Sequence, residues 1–136
     1  MTHRTAAIYS VAPLIGVASY VAPLLASDVV TGNESWLELY AISVEKASGP
    51  TFFLLFVAGL LAGGADAAVR ALRFGVLTIA LLPVAAVIQM AGDPTSHNLW
   101  PIEFVIYLVV SLVPACGVLL GRHIGPILFW PSDGKD

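Results

Sequence analysis

The chain has 136 residues, of which 58% are hydrophobic and 11% charged, with a formal net charge of −3. A soluble domain carries about 25% charged residues, so this composition excludes an ordinary water-soluble core and points to the bilayer as solvent. The weak acidic balance and the lack of a basic patch exclude a nucleic-acid partner, and the single cysteine, Cys116, excludes an internal disulfide and a cysteine-built metal or iron–sulfur site.

The first apolar run is Ala6 to Ala26, "AAIYSVAPLIGVASYVAPLLA". It is long enough to cross ~30 Å of hydrocarbon, which takes about 20 helical residues. Arg4 ahead of it and the small residues at its end resemble a cleaved leader. The apolar part exceeds the usual 7–15 residues and is interrupted by Pro13 and Pro23, so a retained span is expected. Backbone polar groups must be satisfied inside lipid, which makes helices the expected form, and no run shows the strict alternation of a membrane barrel. Prolines are tolerated in membrane helices because neighbours re-satisfy the freed carbonyls.

Next comes the longest connection, Ser27 to Gly49, with a short amphipathic helix expected at about 35–47. Ser35 and Glu38 have capping-box spacing. Glu34, Glu38 and Glu45 fall near one face, and Trp36, Leu37, Tyr40 and Val44 near another. That pattern suits a helix lying in the membrane interface, either as a lid over the bundle end or as a docking element. Asn33 opens a sequon-like triplet, a pattern common by chance.

The second span is expected at about 50–68 and the third at about 72–91. Gly59 and Gly63 are four residues apart in the second, as are Gly117 and Gly121 in the fourth. Small residues at this spacing let helices approach closely, within one bundle or between subunits. Asp66 and Arg70 also have the spacing of a helix-face ion pair. Arg70, Arg73 and Arg122 are candidates for holding an anionic lipid headgroup; the competing reading is a topology signal.

The polar stretch 92–104, "GDPTSHNLWPIEF", separates the third run from the fourth. Gly92 reads as the end of the third helix, Asp93 to Ser96 as a turn, Asn98 as an N-cap, Pro101 as a first-turn residue and Trp100 as an interface anchor. The alternative reading makes Asp93, His97 and Glu103, with Glu45 from the other outer loop, a ligand, metal or proton site. Their spacing matches no metal motif, so the identity of any metal or cofactor is left unknown. Recognition of a headgroup or partner by the same cluster is a third reading.

The fourth span is expected at about 100–121 and a cytoplasmic tail at 122–136. With four spans, Arg4, Arg70, Arg73, Arg122 and Lys135 fall on one side and Lys46 alone on the other. The positive-inside rule then puts both termini in the cytoplasm, as in a prokaryotic cytoplasmic membrane. The sequence therefore predicts one all-α integral membrane domain, a four-transmembrane-helix bundle with an interfacial helix between the first two spans.

Function is less legible. The deeper polar groups, Tyr20, Thr78, Tyr107, Ser111 and Cys116, are not ionic, and Asp66, Gln89 and Glu103 lie near span ends. No deep histidine pair, Ser–His–Asp spacing, phosphate loop or dinucleotide fingerprint is present, and the halves show no repeat. The leading expectation is a non-catalytic subunit or scaffold in a homo-oligomer or larger membrane complex. A small oligomeric channel lined by Tyr107, Ser111 and Gln89, with Glu103 at its mouth, is the second. A metal-dependent membrane enzyme acting at the outer face is the third.

Overall fold

The computed structural model describes residues 2–27, 36–92 and 100–128. Six helices follow in order: α1 (His3–Leu25), α2 (Trp36–Glu45), α3 (Gly49–Ala65), α4 (Ala71–Ile79), α5 (Leu81–Gly92) and α6 (Trp100–Leu128). Among the described residues there is no strand. Three stretches are long and apolar enough to cross a membrane: His3–Leu25, Ala71–Ile88 and Phe104–Pro126. The apolar helix Gly49–Ala65 is shorter, at 17 residues.

Local chemistry sets the helix ends. Thr2 caps α1, its Oγ1 accepting from the Thr5 amide at 3.1 Å. α1 continues through Pro13 and Pro23. α3 starts after Ser48, with Pro50 in its first turn, where a missing amide costs nothing. It stops at Ala65, short of the expected 68, because the Asp66 side chain accepts the Ala68 amide at 2.9 Å and offers the backbone a turn in place of another helical bond. α4 and α5 together cover the stretch expected as one span. They are parted at Ala80, because Pro83 has no amide to donate to the carbonyl of Ile79. α6 does not end at 121. It carries Arg122 and Pro126 onward to Leu128, so the first part of the expected tail is helical. The extension packs Gly125 on Gly64, where an added Cβ would lie 2.8 Å from the Gly64 Cα.

Contacts fix the helix directions. The end of α3 meets the start of α1 through Asp66, Thr5 and Thr2, and its first-turn residue Thr51 shares a cavity with Tyr20 and Leu24 near the end of α1. The two helices are therefore antiparallel. Tyr9 reaches Arg70, and Gly16 lies on Thr78, so α1 and α4 run the same way. Phe74 packs with Val118, and Leu82 with Tyr107, which makes α4–α5 antiparallel to α6. The chain thus runs up through α1, down through α3, up through α4–α5 and down through α6.

Glycines set a run of close approaches between the parallel helices α3 and α6. A Cβ on Gly59 would fall within the Pro114 carbonyl, and one on Gly63 within that of Val118. From the other side, Gly117 abuts Phe56 and Gly121 abuts Leu60. Only residues without a side chain permit this backbone-to-backbone contact. Two apolar clusters fill the rest. Tyr9, Ala12, Ala62, Val69, Phe74 and Val118 form one, and Tyr20, Leu55, Ile79 and Leu82 the other. Val44 of α2 packs on the second, so the end of α2 lies over that end of the bundle. Outside, α6 exposes Val105, Leu108, Val109 and Leu112, and α1 exposes Leu14. A large continuous apolar exterior of this kind suits lipid rather than water.

Candidate functional site at the cationic end of the bundle

The turn 66–70 lies between α3 and α4, and four elements converge on it: the starts of α1 and α4, the end of α3 and the last turns of α6. Asp66 is its anchor. The carboxylate accepts from the Thr5 hydroxyl at 2.5 Å, the Thr2 hydroxyl at 3.2 Å and the Ala68 amide at 2.9 Å. The Thr5 hydroxyl, followed by the Ala68 amide, holds the carboxyl below its ordinary range by favouring the charged form. The helix-face ion pair expected between Asp66 and Arg70 does not form. Helical geometry ends at Ala65 and resumes at Ala71, so the two residues are not on a common helix face.

Tyr9 contributes twice. Its hydroxyl accepts the Arg70 amide at 2.7 Å, and its ring lies 4.9 Å beneath the Arg73 guanidinium. Such a cation–π contact orients the cation at a cost of little hydration, and is worth about 0.5–1 kcal/mol at an exposed site. Arg70 and Arg73 are both exposed. Arg122 is placed differently. It is half-buried, and one terminal nitrogen donates to the carbonyl of Val69, a fully buried residue of the turn. Its Nε is buried without a hydrogen-bond partner among the described residues. Arg122 is therefore a strut that ties α6 to the turn, while Arg70 and Arg73 present their charge outward. Arg70 and Arg73 thus leave two exposed cationic side chains beside the turn.

Thr2, Thr5 and Tyr9 carry no sequence signal for this role. Their partners are more than sixty positions away along the chain. Only the Thr2–Thr5 spacing hints at a cap, and the cap is local.

The other predicted residues lie elsewhere. Gly59, Gly63, Gly117 and Gly121 face one another in the α3–α6 seam. Glu45 is exposed at the end of α2. Asp93 and His97 lie outside the described residues, as do Glu34, Ser35, Asn98 and Lys135. Glu103 belongs to the first turn of α6, and its side chain is likewise outside what is described. Among the described residues no three His, Cys, Asp or Glu side chains are grouped to hold a metal. Of the residues expected to line a channel, Ser111 is buried, donates to the Leu108 carbonyl at 2.6 Å and packs on Gly75 of α4. Tyr107 stacks edge-on with Phe104, ring centroids 6.1 Å apart. The Gln89 side chain is outside the described residues.

No protein-family model, curated protein or solved structure matches the chain.

Proposed function

We propose that the chain is a four-span membrane protein working as a non-catalytic subunit or scaffold, which holds other membrane chains, or further copies of itself, against its flanks. One observation carries this reading: the buried hydroxyls of Ser19, Thr78 and Ser111 are occupied within their own helices, while the outward surface is apolar. Ser19 donates to Ile15, Thr78 to Phe74 and Ser111 to Leu108, each to a carbonyl of its own helix. Hydroxyls used in this way do not line a path for ions. The exposed apolar side chains of α6, Val105, Leu108, Val109 and Leu112 among them, offer dispersion contacts and shape.

The four-span count is supported by α3 running between the same two levels as α1. Its 17 residues rise about 26 Å, a few ångströms short of the hydrocarbon thickness, a mismatch that thinning of the bilayer accommodates. The distribution of charge supports an orientation. Arg4, Arg70, Arg73 and Arg122 gather at the end where α1 starts, and Lys46 lies at the other. The cation-rich end faces the cytoplasm, where Arg70 and Arg73 hold the bundle at the anionic headgroup level.

The test is native mass spectrometry after extraction in a mild neutral detergent, combined with cross-linking in the membrane. Stoichiometric partner chains or a defined homo-oligomer are expected. A monomer with no cross-linked neighbour in intact membranes overturns the scaffold reading. Reporter tags at the two ends of the chain are expected on the same side of the membrane, and opposite sides overturn the even count.

A further inference from the structure

A second polar feature lies at the far end of the bundle from the arginines. A cavity of about 170 Å³ opens between the last turn of α1, the end of α2 and the first turn of α3. At ~30 Å³ per water it has room for roughly five or six waters, or a tetrahedral oxyanion. Pro23 and Leu24 form its apolar wall. The polar lining comes from Tyr20, Ser27, Ser43, Lys46, Ser48 and Thr51.

The lining is rich in donors. Tyr20 is only 4% exposed, yet its hydroxyl hydrogen bonds to no described residue. The cavity is the open space that this hydroxyl borders. Thr51 Oγ1 accepts the Ser48 amide at 3.5 Å, which leaves its proton to donate. Lys46 adds an ammonium group with three donors. Ser27 already donates to the Leu24 carbonyl at 2.6 Å. The positive end of the α3 dipole faces the same space. Among the described residues no carboxylate lines the cavity, and neighbouring Glu45 is exposed outside it. A recess lined by hydroxyl donors and one ammonium group suits an anion with several oxygens.

We infer that this cavity binds a phosphate group, held by Lys46, Tyr20 and Thr51, and supplied either by a phospholipid headgroup or by free phosphate. The apolar wall and the exposed Leu25 beside it suit the lipid source, because acyl chains can lie along α1 while the phosphate enters the recess. The inference does not depend on the chain having protein partners.

The experiment uses the full chain, delipidated in neutral detergent and free of phosphate buffer. Phosphatidylglycerol, diacylglycerol and inorganic phosphate are added separately, with bound copies counted by native mass spectrometry and stability followed by thermal shift. Phosphatidylglycerol is expected to bind and stabilise, and diacylglycerol, which has the same tails without phosphate, is not. Lys46→Gln and Tyr20→Phe are each expected to weaken the binding of one lipid about tenfold, and Lys46→Arg to keep it. Lys46 is exposed, so its variants fold as the wild type does. Stabilisation of the wild type but not Lys46→Gln by inorganic phosphate alone identifies the free anion as the occupant. Equal binding of diacylglycerol and phosphatidylglycerol overturns the inference, as does a bound count and thermal shift unchanged in both Lys46→Gln and Tyr20→Phe, or no response to either phosphate source.

Discussion

The α3–α6 seam gives the sharpest test of how this bundle is held together, and Gly117→Ala is the perturbation. One methyl group is added to a position where it meets the Phe56 carbonyl, with the Leu60 nitrogen at 2.9 Å and the Gly59 Cα at 3.1 Å. All three are backbone atoms, so no rotamer change relieves the clash and the two helices must separate. A gap of about 0.5–1 Å forfeits a quarter to a half of the dispersion well for each contact along the seam. Overpacking of this kind costs about 1–3 kcal/mol. Alanine also favours the helix by about 1 kcal/mol relative to glycine, which acts in the opposite direction. Gly49→Ala supplies the control, since nothing lies within 4 Å of a Cβ built there. We expect Gly49→Ala to stay within about 0.5 kcal/mol of the wild type. Gly117→Ala is expected to fall below that control by about 1–3 kcal/mol. Reversible unfolding in mixed micelles, titrated with a denaturing detergent and read by tryptophan fluorescence, measures both. Gly59→Ala with Gly117→Ala should cost less than the sum of the two, because the residues touch and one separation relieves both clashes. If Gly117→Ala is as stable as Gly49→Ala, or the double variant is strictly additive, close backbone approach does not hold α3 on α6.

The remaining predictions concern the turn and the helix break. Asp66 has a lowered folded-state pKa, so its contribution is fully present above the unfolded value of about 3.9 and is lost as pH falls through the lower folded value. Thermal scans from pH 7 downward should show wild-type stability dropping below about pH 4, and Asp66→Asn should start lower and lose less; parallel curves refute the assignment. Tyr9→Phe keeps the ring under Arg73 but removes the acceptor for the Arg70 amide, and should cost about 0.5–1.5 kcal/mol. Tyr9→Leu, which also removes the cation–π contact, should cost about 0.5–1 kcal/mol more in the same unfolding assay. Pro83→Ala restores a donor for the Ile79 carbonyl and should join α4 to α5. Slower amide exchange at residues 80–82 checks this, and unchanged exchange shows that the break at Ala80 has another cause.

Much of the architecture was legible along the chain. Hydropathy is a local, additive property, so runs such as 6–26 and 100–121 declare helices suited to lipid before any contact is known. Pro83 breaks its helix, yet in sequence it looks like Pro13, Pro23 or Pro114, which do not break theirs. The glycine pairs announced close packing without naming the partner helix. Spacing alone also promised an Asp66–Arg70 pair, and failed because the local turn chemistry of Asp66 ended the helix first.

Sequence by itself determined that this protein is helical, that its exterior is apolar, and that its arginines border particular runs, since each of these follows from which residues are neighbours in the chain. Only tertiary structure decided that Thr2, Thr5 and Tyr9 would hold the 66–70 turn, that α3 would lie parallel to α6 through their glycines, and that Arg122 would brace a carbonyl while Arg73 lay over a ring. Those partners stand 53 to 64 positions apart. Hydrogen bonds and backbone contacts act over a few ångströms, so which distant groups come within reach depends on how the whole bundle closes.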